Sequence, residues 1–291
     1  MLRLLAILCL ALAPGAAMAE PASLEAYMGQ ARVRPDAVIA YGKAPTQVVE
    51  LFLPKGRRPH PVVALLHGGC WRAEYEGLPQ TSTLAADLAR RGYAVWNIEY
   101  RRLGEPGGGY PGTFQDVGAA MDRLRGAAAA YNLDTRRLVA VGHSAGGPLA
   151  LWAASRDRLP ASSPLHVAHP MPIPVVVSLA GIGDLKAQAR NTCGDDIPSL
   201  VGASTRKDAY ADTSPAELLP SGARVVMING SRDQVVEPSS GLAYVLKRRK
   251  VGDAGEAVTI PGAGHFDLVI PTTPAWNAIV AIVEREMAAL R

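Results

Sequence analysis

Cysteine is scarce in this chain, with three among 291 residues. None stands with histidine at zinc-site spacing, which argues against a structural metal, and no cofactor motif is present. Charge is sparse as well: charged residues make up 19% and the formal net charge is +4. Only "KRRK" at 247–250 gathers it into a run, and a short basic run at a helix end is a solvated face, so nucleic acid is not an expected partner. The N-terminal apolar stretch falls short of the roughly 20 residues that span a bilayer. No repeat or linker divides the chain. What is plentiful is apolar side chain, at 48%. That fits a well-buried globular core and argues against disorder. One large α/β domain is the simplest reading of this length.

The opening "MLRLLAILCLALAPGAAMAE" has the parts of an export signal. Arg3 supplies the positive end, Leu4 to Ala13 the apolar core, and "AMA" a small-residue cleavage site before Glu20. The expected product is a secreted or periplasmic protein cleaved near Ala19, with one domain over 20–291 and no membrane span after processing. Cleavage removes Cys9 and leaves Cys70 and Cys193, an even pair in an oxidising compartment, so a disulfide between them is expected.

Past the signal, apolar runs alternate with helix-like segments. Strands are expected at "TQVVELFL", "PVVALLH", "YAVWNIEY", "RRLVAVGH", "PVVVSLAG", "ARVVMING" and "EAVTI". The middle runs are nearly continuous Val, Leu and Ile, as in parallel strands buried on both faces. The first, at 46–53, alternates more and suits an antiparallel edge. Helices are expected at "TSTLAADLARRG", "TFQDVGAAMDRLRGAAAAYNL", "SAGGPLALWAASRD" and "TTPAWNAIVAIVEREMAAL". This alternation predicts a doubly wound, mostly parallel α/β sheet with helices on both faces. Two segments break the rhythm: the Gly/Pro-rich loop 101–112, and 182–220, long enough to form a short lid.

Four motifs carry chemistry. "AVGHSAGG" places Ser144 after a strand run and before a helix run, between Gly142 and Gly146, where a sharp turn would present its hydroxyl as a nucleophile. "LLHGGCW" ends an earlier strand, and the N–H groups of Gly69 and Cys70, with that of Ala145, are candidate oxyanion donors. His67 is read as a brace for this loop. "INGSRDQVV" sets Asp233 after a strand, with Glu237 and Asp267 as competing acids. "IPGAGHFDL" sets His265 after the last strand, completing the order Ser, Asp, His. Trp71, Tyr110 and Trp152 are candidate pocket walls.

Together, "HGGCW", "GHSAGG", the Asp233 segment and "GAGHF" resemble the α/β-hydrolase superfamily, and the HGGxW form resembles its esterase and arylformamidase-like branches. The resemblance covers about residues 40–290. It implies a Ser144–His265–Asp233 triad that forms an acyl-enzyme, with an oxyanion hole from Gly69, Cys70 and Ala145, on a small-molecule ester or amide. A carboxylic ester is the first expectation. A formamidase or other small-amide hydrolase comes next. A prolyl-oligopeptidase-like peptidase or an inactive binding protein on the same scaffold follow. Acyl and alcohol groups, and oligomeric state, are not legible.

Overall fold

The computed structural model describes residues 19–56, 59–188, 193 and 196–290. The expected export signal, Ala19 excepted, and Cys9 lie outside the described residues. The elements in chain order are α1 (Leu24–Met28), β1 (Ala37–Ala40), β2 (Val48–Phe52), β3 (His60–Leu66), α2 (Ser82–Arg90), β4 (Ala94–Ile98), α3 (Gly112–Ala127) and β5 (Leu133–His143). They continue with α4 (Gly146–Ala153), β6 (Val175–Leu179), α5 (Leu185–Gln188), α6 (Asp196–Val201), β7 (Arg224–Gly230), α7 (Ser239–Lys250), β8 (Gly255–Ile260) and α8 (Pro274–Ala288).

The eight strands form one sheet in the order β1-β2-β4-β3-β5-β6-β7-β8. From β4 to β8 every pairing is parallel, and β1 and β2 are antiparallel to their neighbours. The mostly parallel sheet predicted from the Val/Leu/Ile runs is therefore present. The 46–53 run is antiparallel as expected, but it is not the edge. That place belongs to β1, whose "AVIA" is too short to stand out as a strand. The edge strand β8 alternates between half-buried and exposed positions, whereas β4 and β6 are buried throughout.

Helix ends follow the local chemistry. After α2, Gly92 takes φ 102° and its N–H reaches Ala89 O at 3.0 Å, the stop that "ARRG" predicted. Thr273 caps α8 by accepting from Trp276 N at 3.2 Å, with Pro274 in the first turn. The Trp276 indole donates to Asp87 at 2.8 Å and so ties α8 to α2. The 182–220 stretch holds α5, α6 and a single tight turn at Pro215–Leu218.

Candidate active site

Parallel strands deliver the loops at their C-terminal ends to one edge of the sheet, where crevices for ligands form. Here β3 and β5 run side by side with Leu66 opposite Gly142, so the loops after them leave together. On the far side Gly230 pairs with Ile260, which brings the Asp233 and His265 loops out as neighbours.

Ser144 sits between β5 and α4 with φ 49°, in the left-handed region that side chains avoid. Its N–H donates to Leu179 O at 2.8 Å, and its carbonyl accepts from Gly147 N at 2.9 Å. The glycines of the motif are needed for close approach. A Cβ on Gly146 would overlap the backbone carbonyls of Leu66 and His67, and one on Gly142 would overlap Gly146 O. The turn is thus wedged against the loop that follows β3.

That loop follows an unusual path: Gly69, Cys70 and Trp71 have φ of 99°, 46° and 58°. Among the described residues, the backbone N–H groups of Gly69, Cys70 and Ala145 have no hydrogen-bond acceptor. The loop is held rigidly from behind. His67 Nε2 lies 2.7 Å from Glu99 Oε1 and its Nδ1 2.8 Å from Gly68 O, and its ring stacks on Tyr100 at 4.2 Å. Burial would raise the Glu99 carboxyl, but His67, Arg102 and the Tyr100 N–H outweigh it and hold it below its ordinary value. The Trp71 indole donates to Ala145 O at 2.8 Å and joins this arm to the Ser144 turn. Cys70 and Cys193 are linked in a disulfide, and Arg72 pairs with Asp196 at 2.8 Å.

His265 donates from Nδ1 to Asp233 Oδ2 at 2.8 Å, which leaves Nε2 as the ring's lone-pair nitrogen. The other Asp233 oxygen accepts from Val235 N and Val236 N at 2.8 and 2.9 Å, so the carboxylate is fixed from two sides. Neither competing acid takes this place. Glu237 accepts from Ser239 at the surface, and Asp267 accepts from Gly264 N and Ala22 N, which steadies the loop carrying His265. His143 donates from Nε2 to His265 O at 3.3 Å. Burial first, and then the nearby His265, drive its pKa well below that of a free imidazole.

Ser144, His265, Gly69 and Cys70 line a single cavity of about 260 Å³. Its remaining walls are Leu24, Tyr27, Tyr75, Gln80, His143, Val235 and Phe266. Trp71, Tyr110 and Trp152, expected as walls, are placed elsewhere. Trp71 is fully buried behind the arm, and Trp152 is buried against Phe114 with its indole on Asp212 O. Tyr110 lies under the Arg206 guanidinium with its hydroxyl on Asp212. No described residue of 182–220 lines the cavity, and Cys193 is that stretch's covalent link to it. None of these further walls was foreseen from sequence, and two of them, Leu24 and Tyr27, belong to the one-turn helix α1, which has no periodicity to betray it.

Solved structures share this fold. A truncated carbohydrate esterase from gut microbiota superposes with TM-score 0.73 at 20% identity, over 86% of this chain and 95% of its own. An acetyl ester-xyloside bifunctional hydrolase from Caldicellulosiruptor lactoaceticus gives 0.69 at 16%, over 88% and 97%. The Thermogutta terrifontis esterase 2 phosphonylated by sarin gives 0.73 at 17%, over 87% and 94%. No curated protein matches the chain. With these neighbours, the sheet and its helices are the α/β-hydrolase fold. The BD-FAE family profile matches residues 49–246, well over half of the sequence, and the chain belongs to the BD-FAE family.

Proposed function

We propose that the chain is a serine hydrolase that cleaves carboxylic esters through an acyl-enzyme. The observation that carries this reading is His265, paired with Asp233 at 2.8 Å and lining one cavity with Ser144 on its strained turn and with Gly69 and Cys70 of the arm. In the first half-reaction the Ser144 hydroxyl oxygen bonds to the acyl carbon as its proton passes to His265 Nε2. The carbonyl oxygen, now an anion, is held by the N–H groups of Gly69, Cys70 and Ala145. The C–O bond to the alcohol then breaks and His265 returns the proton to the departing oxygen. Water repeats the sequence on the acyl-enzyme and releases the acid. One such donor is worth roughly 3–4 kcal/mol of barrier.

The neighbours and the cavity support a short-chain ester as the substrate class. Esterases of carbohydrate esters are among the similar folds, and a thermophilic esterase among them was solved with butyrate bound. A cavity of about 260 Å³ suits a short acyl group on a larger alcohol that extends into solvent. The disulfide suits an oxidising compartment, in keeping with the expected export signal. No helix among the described residues is long and apolar enough to cross a membrane.

Labelling with a fluorophosphonate probe tests the chemistry. The probe should add to Ser144 in the wild-type protein and fail to add to Ser144→Ala, and p-nitrophenyl acetate should be turned over only by the former. Equal labelling of both proteins would rule out Ser144 as nucleophile.

A further inference from the structure

Two of the cavity walls, Leu24 and Tyr27, precede the family-matched residues 49–246. They stand on α1, five residues long, far too short to be helical without tertiary support. That support comes from the loop that carries His265. Ala22 N donates to Asp267 at 3.2 Å, and Pro21 sits so close to Gly264 that a Cβ there would fall 2.6 Å from Pro21 Cβ. The Tyr27 ring stacks on Phe266 at 5.5 Å and meets His143 edge-on at 5.8 Å. Arg232 holds the start of the segment, pairing with Glu20 at 3.0 Å. At its end, Gln30 donates to Val269 O at 3.4 Å and accepts from Thr83 at 2.9 Å. The segment is therefore pinned along its length, so a side chain on it has a fixed place relative to Ser144.

We propose that segment 20–30 is the wall that sets how long an acyl group the cavity admits, with Leu24 at the mouth and Tyr27 inside. The two burials suit those places: Leu24 is 43% exposed and Tyr27 2%. Leu24 is a large apolar side chain left half in solvent, and an acyl chain passing it would cover the rest of its surface. The wall shares the serine's cavity but supplies neither the nucleophile, the base nor an oxyanion donor, so it selects among substrates by size and takes no part in bond making. The proposal rests on the ester-hydrolase reading above.

Opposite changes at Leu24 test it, because a residue so exposed is not needed for folding. Each methylene that a pocket accepts or rejects is worth about tenfold or more in selectivity. Leu24→Ala should raise the hexanoate-to-acetate ratio of kcat/KM on p-nitrophenyl esters by about tenfold, and Leu24→Trp should lower the butyrate-to-acetate ratio by a similar factor. Fluorophosphonate labelling of Ser144 is measured on the same samples. If both variants label like wild type and both ratios stay within about twofold, the wall is elsewhere while the hydrolase reading stands. If the ratios shift along an alcohol series and not an acyl series, the cavity holds the leaving group and the acyl assignment is overturned. Absence of label on the wild-type protein would bring down both readings together.

Discussion

An L-residue held at φ 49°, as Ser144 is, stores about 1 kcal/mol of backbone strain. The strain buys nothing for folding, since the Ser144 N–H would reach Leu179 O from a glycine as well. Replacing the serine by alanine and by glycine separates the two roles. Both variants should be inactive, but Ser144→Gly should be the more stable by about 1 kcal/mol, read from denaturant midpoints. Equal stability would mean that the turn is unstrained. At Asp233 the expected loss is in turnover. Asp233→Asn keeps the shape but presents a donor where the His265 Nδ1–H needs an acceptor, so kcat should fall by about four orders of magnitude with little change in Tm. As candidates they were legible, because Ser144 directly follows an apolar run and Asp233 comes within a few residues of one, and strand ends in parallel sheets are where sites form. Leu24 and Tyr27 were not, because only tertiary packing brings α1 to the loop of His265. The three misplaced aromatics have the same cause. An apolar ring suits a pocket wall and a core equally, and the indole partners of Trp71 and Trp152 become visible only once the chain is folded.

Elements β7, β8 and α8 meet at a charge network rather than through apolar packing alone. Arg224 on β7 pairs with Glu286 on α8 at 2.8 Å and Glu256 on β8 at 2.7 Å, and Arg285 adds contacts to both acids. Glu286 is nearly buried, at 3% exposed. Burial alone would raise its carboxyl, but the hydrogen bonds and charges of Arg224 and Arg285 outweigh it and leave it below its ordinary value. A depressed carboxylate contributes stability that is present above its unfolded-state value and lost as pH falls through the folded-state one. Glu286→Gln should therefore cost about 1 kcal/mol at neutral pH, and its Tm deficit should shrink as both proteins are taken below the ordinary glutamate range. A deficit that stays constant with pH would assign the effect to shape rather than charge. The strands here were readable as "ARVVMING" and "EAVTI", since runs of β-branched residues between turn signals carry their own evidence. The partners across elements were not, because ion pairs between β7 and α8 depend on the closing of the sheet.

At the scale of the molecule, the arm that carries Gly69 and Cys70 is fastened to the body by ties that reach far along the chain. The Cys70–Cys193 bond spans 123 residues, and the Arg72–Asp196 pair runs beside it to α6. The pairing was legible because the expected loss of an export signal would leave two cysteines; its coupling to the site was legible only in part, because sequence places Cys70 on the arm but leaves the course of 182–220 open. Closing so long a loop restricts the unfolded chain, a stabilisation of about 2–4 kcal/mol where native geometry accommodates it. In the folded state the same bond anchors Cys70, which takes φ 46°, lines the cavity and has no acceptor for its N–H among the described residues. Stability and catalysis should then fall together when it is removed, but through separate quantities. Cys193→Ala is the informative change, since it leaves the Cys70 backbone in place. Its denaturant midpoint should drop in proportion to those few kcal/mol. Its kcat should fall more than its KM rises, because a loosened arm loses hydrogen bonds that matter most in the transition state. Wild-type protein treated with a mild reductant should match the variant in both respects. A variant that loses stability but keeps its kcat would show that Arg72, Trp71 and the His67–Glu99 brace hold the arm without the disulfide.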